Sequence, residues 1–112
     1  MKKIEAIIRP SKVGNVCDAL EKIGHPGIML TELEGHGKQK GVKQEVRGKT
    51  YTVNLLTKAR VEVIVKDSDV AKTIKAIRDA ALTGNVGDGK IFVYPVENAV
   101  RIRTAEEGDA AL

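Results

Sequence analysis

Tryptophan is absent from this 112-residue chain, and Tyr51, Phe92 and Tyr94 are its only aromatic residues. Single-strand nucleic-acid binders stack bases on aromatic side chains, so this scarcity weighs against RNA or DNA as a partner. A single cysteine, Cys17, excludes an internal disulfide framework. It falls on an apolar helical stripe, where core packing is the expected role. The two histidines, His25 and His36, have no Cys or His companion, which argues against a protein-only metal site. No Ser-His-Asp set or Cys-His pair can be assembled, so enzymatic turnover is not expected. No apolar run approaches the roughly 20 residues of a membrane span. The segment Met1-Lys2-Lys3-Ile4-Glu5 enters strand-like sequence without the apolar stretch of a signal peptide. A cytoplasmic location is the resulting expectation.

What is present suits one compact domain over residues 1–112. Hydrophobic residues at 42% and charged residues at 30% are enough for a core and for solubility. A domain of this size buries only about two-thirds of its unfolded surface, so oligomerisation would add to its stability. The net charge of +4 permits anionic partners. With so few aromatics, a small anion fits better than a nucleic acid.

Hydrophobic spacing sets the order of elements. Ile4, Ala6 and Ile8 alternate as one face of a strand over residues 3–9. Pro10 ends it, and Ser11 is placed to cap a helix carrying Val13, Val16, Cys17, Leu20 and Ile23. Gly24 stops that helix, Pro26-Gly27 turns the chain, and residues 28–34 form a second strand. From residue 35 to about 52 the pattern disappears into a stretch rich in glycine and charge, which reads as a long functional loop. Order returns at Lys58, where Val61, Val63 and Val65 alternate. Asp67 or Ser68 would cap a helix with Val70, Ile74, Ile77 and Ala81 on one stripe, and Gly84 would stop it. A strand over residues 91–96, a short one over 100–103 and a loose acidic tail complete the chain. Two βαβ-like halves predict an α+β, ferredoxin-like βαββαβ sandwich with a long loop between strands 2 and 3. Its open sheet edges favour an oligomer.

Two segments bear on anions. Gly84-x-x-x-x-Gly89-Lys90 nearly satisfies the Walker A phosphate loop. However, Ile91 replaces the magnesium-holding Ser or Thr, and the loop runs from a helix into a strand, the reverse of the P-loop order. Gly87 and Gly89 still permit close backbone approach to a phosphate, and Lys90 supplies charge. The same residues also fit an ordinary αβ turn. Arg101 and Arg103, two apart on a strand, would share a face and suit a phosphate between them. A solvated edge strand, or pairing with Glu106 and Glu107, is the alternative. Taken together, the two segments read as a polyphosphate site built without a Walker motif.

Thr83-Gly-Asn-Val-Gly-Asp-Gly-Lys-Ile-Phe-Val93 closely resembles the C-terminal signature of PII signal-transduction proteins. Arg101-Ile-Arg-Thr104, Lys3-Ile4, Ala6-Ile-Ile8, Gly35-x-Gly-Lys-Gln-Lys-Gly41, Arg47-Gly48 and Tyr51 extend the resemblance over essentially the whole chain. It implies a homotrimer with ATP or ADP in each cleft between subunits. It assigns Gly87, Asp88, Gly89 and Lys90 to the phosphates, joined by Arg101, Ile102 and Arg103 of the adjoining subunit. Gly37 and Lys38 would approach from the loop base, Met29 and Ile64 would border the base or ribose, and Glu62 would read the adenine side. Gln39 would ligate Mg2+ together with ATP and 2-oxoglutarate, and Lys58 would hold the distal carboxylate of that acid. The loop over residues 37–55, the T-loop of the family, would carry the response. Its expected partners are an ammonium transporter and, further, a regulatory kinase, enzymes of nitrogen assimilation or a uridylyltransferase. Contact with a membrane would be indirect, through the transporter.

The chain departs from the family pattern at several positions. Lys38 stands where arginine is common, so charge survives but bidentate phosphate geometry does not. Met29 replaces a frequent threonine and brings no hydroxyl. Thr57 stands where proline is frequent, at the exit of the loop. Tyr51, the uridylylation position of many bacterial relatives, is present, but Val46, Lys49 and Thr50 around it depart from the usual tip. Without the resemblance, the glycine-lysine loop and the arginine pair also fit a small phosphate-ester or acyl-phosphate hydrolase. An RNA-binding ferredoxin-like module is a third reading, disfavoured by the poverty in aromatics.

Overall fold

The structure, a computed structural model, describes residues 1–25, 27–36, 42–46, 49–53 and 55–112. Strand β1 (Lys2–Ile8) buries Ile4, Ala6 and Ile8 on one face, as its alternation requires. Arg9 is extended ahead of Pro10, the conformation a following proline imposes. Pro10 opens a 3-10 turn (Pro10–Lys12) that leads into helix α1 (Val13–Lys22). Val16 and Leu20, four apart, are both fully buried. Gly24 ends the helix at φ +92° while His25 N–H returns to the Leu20 carbonyl.

Strand β2 (Met29–His36), the hairpin β3 (Val42–Val46) and β4 (Lys49–Val53), and the long strand β5 (Leu55–Val65) follow. Helix α2 (Val70–Ala81) and strand β6 (Lys90–Pro95) complete the core elements. The main sheet has the order β2-β5-β1-β6 and every pairing in it is antiparallel. This is the ferredoxin-like α+β fold, with β3 and β4 as a separate two-stranded sheet inserted between β2 and β5. No helix among the described residues is long and apolar enough to cross a membrane.

The core lies between one face of the main sheet and both helices. Ile4 and Ile8 of β1, Val61 and Val65 of β5, Leu20 of α1 and Ile77 of α2 are all under 3% exposed. Each buried aliphatic side chain of this size contributes roughly 1.5–3 kcal/mol against chain entropy. The other sheet face carries no helix. By alternation with the buried residues it presents Lys3, Glu5 and Ile7 of β1, Lys58, Arg60, Glu62 and Ile64 of β5, and Lys90, Phe92 and Tyr94 of β6. Phe92 and Tyr94 are more than 40% exposed, and Lys3 Nζ sits 4.5 Å over the Tyr94 ring.

Five expectations from the sequence need correction. The stretch read as a structureless loop holds the end of β2, the β3–β4 hairpin and the start of β5, which begins at Leu55 and not at Lys58. Glycines and charged residues interrupt the apolar alternation by which strands are read in this stretch. Ser11, Asp67 and Ser68 do not cap their helices. They lie in 3-10 turns whose backbone bonds serve the first helical donors, and Asp67 instead pairs with the Met1 amino group at 2.9 Å.

Helix α2 ends before Gly84, because Leu82 is already extended, and the φ of +88° at Gly84 belongs to the next turn. Residues 100–103 do not form a strand. Val100 makes one isolated bridge to Glu107, while Arg101 N–H donates to the Glu106 carbonyl and Ala105 N–H to the Arg101 carbonyl. The chain therefore doubles back on itself, with Ala105 at φ 60°, and strand geometry does not place Arg101 and Arg103 on one face. The tail is not loose either, since Gly108 N–H reaches the Ala99 carbonyl and a 3-10 turn (Gly108–Ala111) follows.

Candidate functional site: the glycine turn at the end of the sheet

The turn between α2 and β6 is closed from within by Asp88. Its carboxylate accepts hydrogen bonds from the Thr83 hydroxyl, from the Thr83 and Gly84 backbone N–H groups at 2.9 Å, and from Arg9 Nε at 3.2 Å. These bonds, the Thr83 hydroxyl foremost, hold the Asp88 carboxyl well below the usual carboxylate range. Asp88 thus spends its charge inside the turn.

The two glycines of the turn have left-handed backbones, φ +105° at Gly87 and +100° at Gly89. Gly89 is also wedged against the main chain of Ile7 in β1, which leaves no space for a side chain. Two long cations reach the turn from the sheet. Arg9, just past β1, adds a bond from Nη2 to the Val86 carbonyl at 2.9 Å, and Lys58 of β5 donates from Nζ to the Gly87 carbonyl. Val86 and Gly87 form the middle of a hydrogen-bonded turn, and among the described residues no protein acceptor takes the N–H groups of Val86, Gly87 or Gly89. Neighbouring free N–H groups in a turn of this kind attract anions.

A hollow of about 410 Å³ opens beside the turn, lined by Ile7, Lys58, Gly87, Gly89, Lys90 and Phe92. It offers two ammonium groups and free backbone donors over an apolar floor. An anion with several oxygens fits that chemistry.

The structure thus brings together four of the sequence-predicted residues, Gly87, Gly89, Lys90 and Lys58, with Asp88 as the internal brace. Met29 and Glu62 are directly opposed between β2 and β5, and Ile64 stands two residues further along the same face. The Glu62 carboxylate is 3.0 Å from Arg60 Nε. Arg101, Ile102 and Arg103 are not brought to the turn within one chain. Arg101 binds Glu106 at 3.2 Å and the carbonyl of Leu112 at 3.3 Å. Leu112 and Asp109 line a hollow with residues 63–66, at the end of β5 remote from Lys58. Ile102 is fully exposed and Arg103 is exposed. Gly37, Lys38 and Gln39 lie outside the described residues, and Tyr51 stands opposite Gln44 in the β3–β4 hairpin. Among the described residues no group of three His, Cys, Asp or Glu side chains could hold a metal ion.

Sequence reasoning missed Arg9, whose contact with Asp88 spans 79 positions and leaves no local trace. The Arg9-Pro10 pair was its only visible sign, a strand end whose direction proline fixes.

Comparison with known proteins agrees over the whole length. The family profile described as nitrogen regulatory protein P-II matches residues 1–106. Proteins of that name from Azospirillum brasilense and Rhodospirillum rubrum are 53% and 51% identical over 112 residues, covering both chains completely. The one from Pasteurella multocida is 48% identical over the same span. The chain therefore belongs to the nitrogen regulatory P-II family, whose members are signal transducers and not enzymes.

Proposed function

We propose that this nitrogen-regulatory protein binds ATP or ADP with the phosphates at the turn of Gly87, Asp88, Gly89 and Lys90. On this reading, with Mg-ATP it also takes 2-oxoglutarate and controls partner proteins through the loop over residues 37–55. The observation that carries the reading is the set of free N–H groups of Val86, Gly87 and Gly89 beside the ammonium groups of Lys58 and Lys90, around one hollow. Asp88 serves there as the brace of the turn, its carboxylate engaged by Thr83 and Gly84.

The site is incomplete in one chain. Arg101 and Arg103 sit toward the opposite end of the sheet, and a neighbouring copy in a homotrimer supplies them to the turn, with Ile102 between them. The helix-free sheet face, with Phe92 and Tyr94 exposed, is the surface that such an assembly covers. Met29, Glu62 and Ile64 border the adenosine, and Gly37 and Lys38 close over the phosphates from the loop base.

No protein-only metal cluster exists among the described residues, so Mg2+ would take its oxygen ligands chiefly from the nucleotide and the 2-oxo acid, with Gln39 adding one. Bound there, the ion joins the two effectors. Lys58 meets the distal carboxylate of 2-oxoglutarate. Effectors shift the loop only by their different affinities for its states. The regulated partner is an ammonium transporter at the membrane, and a regulatory kinase, nitrogen-assimilation enzymes or a uridylyltransferase acting at Tyr51 are further candidates. The work is done in the cytoplasm.

Calorimetry with 2-oxoglutarate tests this reading. Heat of binding is expected in the presence of Mg-ATP and absent without it. Equal binding in both conditions would refute the effector coupling.

A further inference from the structure

We propose that Arg9 is a positioning residue of the nucleotide site, holding Val86 and Asp88 so that the N–H groups between and beside them converge on a bound phosphate. The inference rests on the nucleotide reading above and adds to it a residue outside the phosphate-binding segments.

One guanidinium binds two residues of the turn, on either side of Gly87. Nη2 donates to the Val86 carbonyl at 2.9 Å, and Nε donates to the Asp88 carboxylate at 3.2 Å. Between them, Gly87 makes room: a Cβ there would lie 3.1 Å from Arg9 Nη2. Arginine presents its donors in a rigid planar fork, so the two bonds fix an orientation as well as a distance. Lysine has a single nitrogen and reproduces one bond without that orientation. Pro10 keeps the Arg9 backbone extended, φ −64° and ψ 136°, which aims the side chain from the strand end to the turn. The pair is half-buried, 27% and 22% exposed, so salt screens it less than a surface pair.

Arg9 also settles a charge conflict. Asp88 lies among the residues that would receive polyphosphate, and a bare carboxylate there would repel it. Arg9 neutralises that carboxylate, and neither Arg9 nor Asp88 is part of the lining of the hollow. Arg9 acts on the ligand only through the turn.

The test is calorimetric titration of ADP and of adenosine into the wild type, Arg9→Met and Arg9→Lys, with a melting temperature for each protein. Arg9→Met is expected to weaken ADP binding about ten- to a hundredfold, the range for losing a charged hydrogen-bonded pair. Adenosine, which lacks phosphates, should bind all three proteins alike, and Arg9→Lys should recover part of the ADP affinity. A general structural role would instead weaken both ligands together. Parallel loss of ADP and adenosine binding, or unchanged ADP binding in folded Arg9→Met, overturns the inference alone. If Arg9→Met does not fold, Arg9→Lys carries the same comparison. A wild type that ignores ADP overturns the nucleotide reading and this inference with it.

Discussion

Gly89 lies so close to Ile7 that a side chain on it would collide with the Ile7 carbonyl oxygen. That carbonyl is main chain, so it has no flexible end that could yield. The contact seats the phosphate-type turn on strand β1 and so ties the site to the core strand that carries Ile4, Ala6 and Ile8.

Gly89→Ala should therefore be among the most damaging single-methyl changes in the chain. The clash with backbone, added to the cost of a positive φ, should remove roughly 3 kcal/mol or more of stability. Gly14→Ala is the matched control. Gly14 is exposed in the first turn of α1 with nothing within 4 Å of a built Cβ, and alanine there should add about 0.5 kcal/mol. Urea denaturation of the two variants beside the wild type measures both effects.

The acidic side of the stability profile should report Asp88 and Asp67. Both carboxyls are held below their ordinary value, Asp88 by Thr83 first and Asp67 by its bond to the Met1 amino group first. The unfolded chain then binds more protons than the folded one as pH falls. The stabilisation is complete above the ordinary carboxylate value near pH 4 and is lost as pH drops through the lower folded-state values. The urea midpoint should fall between about pH 5 and about pH 2, and fall less in Asp88→Asn and in Asp67→Asn. An acid response identical in all three proteins would mean that neither bond set matters.

Lys58 donates to the Gly87 carbonyl and also lines the hollow beside the turn. If Lys58 holds the distal carboxylate of 2-oxoglutarate, as proposed, Lys58→Met should abolish binding of that acid in Mg-ATP. It should weaken ADP by about tenfold or less, since only one of the bonds that hold the turn is gone. Calorimetry of both ligands on one protein sample separates these effects. Intact 2-oxoglutarate binding would remove Lys58 from that role.

The parts of the fold that were legible in sequence are those with one buried face. Ile4, Ala6 and Ile8, and again Val61, Val63 and Val65, alternate because helices press on one side of β1 and β5. Val42–Val46 and Lys49–Val53 pair with each other in a separate two-stranded sheet, and their sequence carries no such signal. The glycine turn was legible from Gly87, Gly89 and Lys90 because left-handed backbone and close approach select glycine. The use of Asp88 was not, because Thr83 and Gly84 consume its carboxylate in bonds that spacing does not reveal. Arg101 and Arg103 were read as a strand pair, yet local hydrogen bonds from Arg101 to Glu106 and from Ala105 to Arg101 fold that segment on itself. A pattern of period two cannot tell a strand from a tight double-back of that kind.

A polyphosphate site shared between copies takes the turn from one and the arginines from the next, which subunit mixing can reveal. Lys90→Gln and Arg103→Gln should each bind ADP poorly alone. Unfolded together and reassembled at equal amounts, they should regain about a quarter of the wild-type binding capacity, because one in about four clefts then joins an intact Lys90 to an intact Arg103. No recovery of ADP binding in verified mixed oligomers would contradict a site that crosses the subunit boundary.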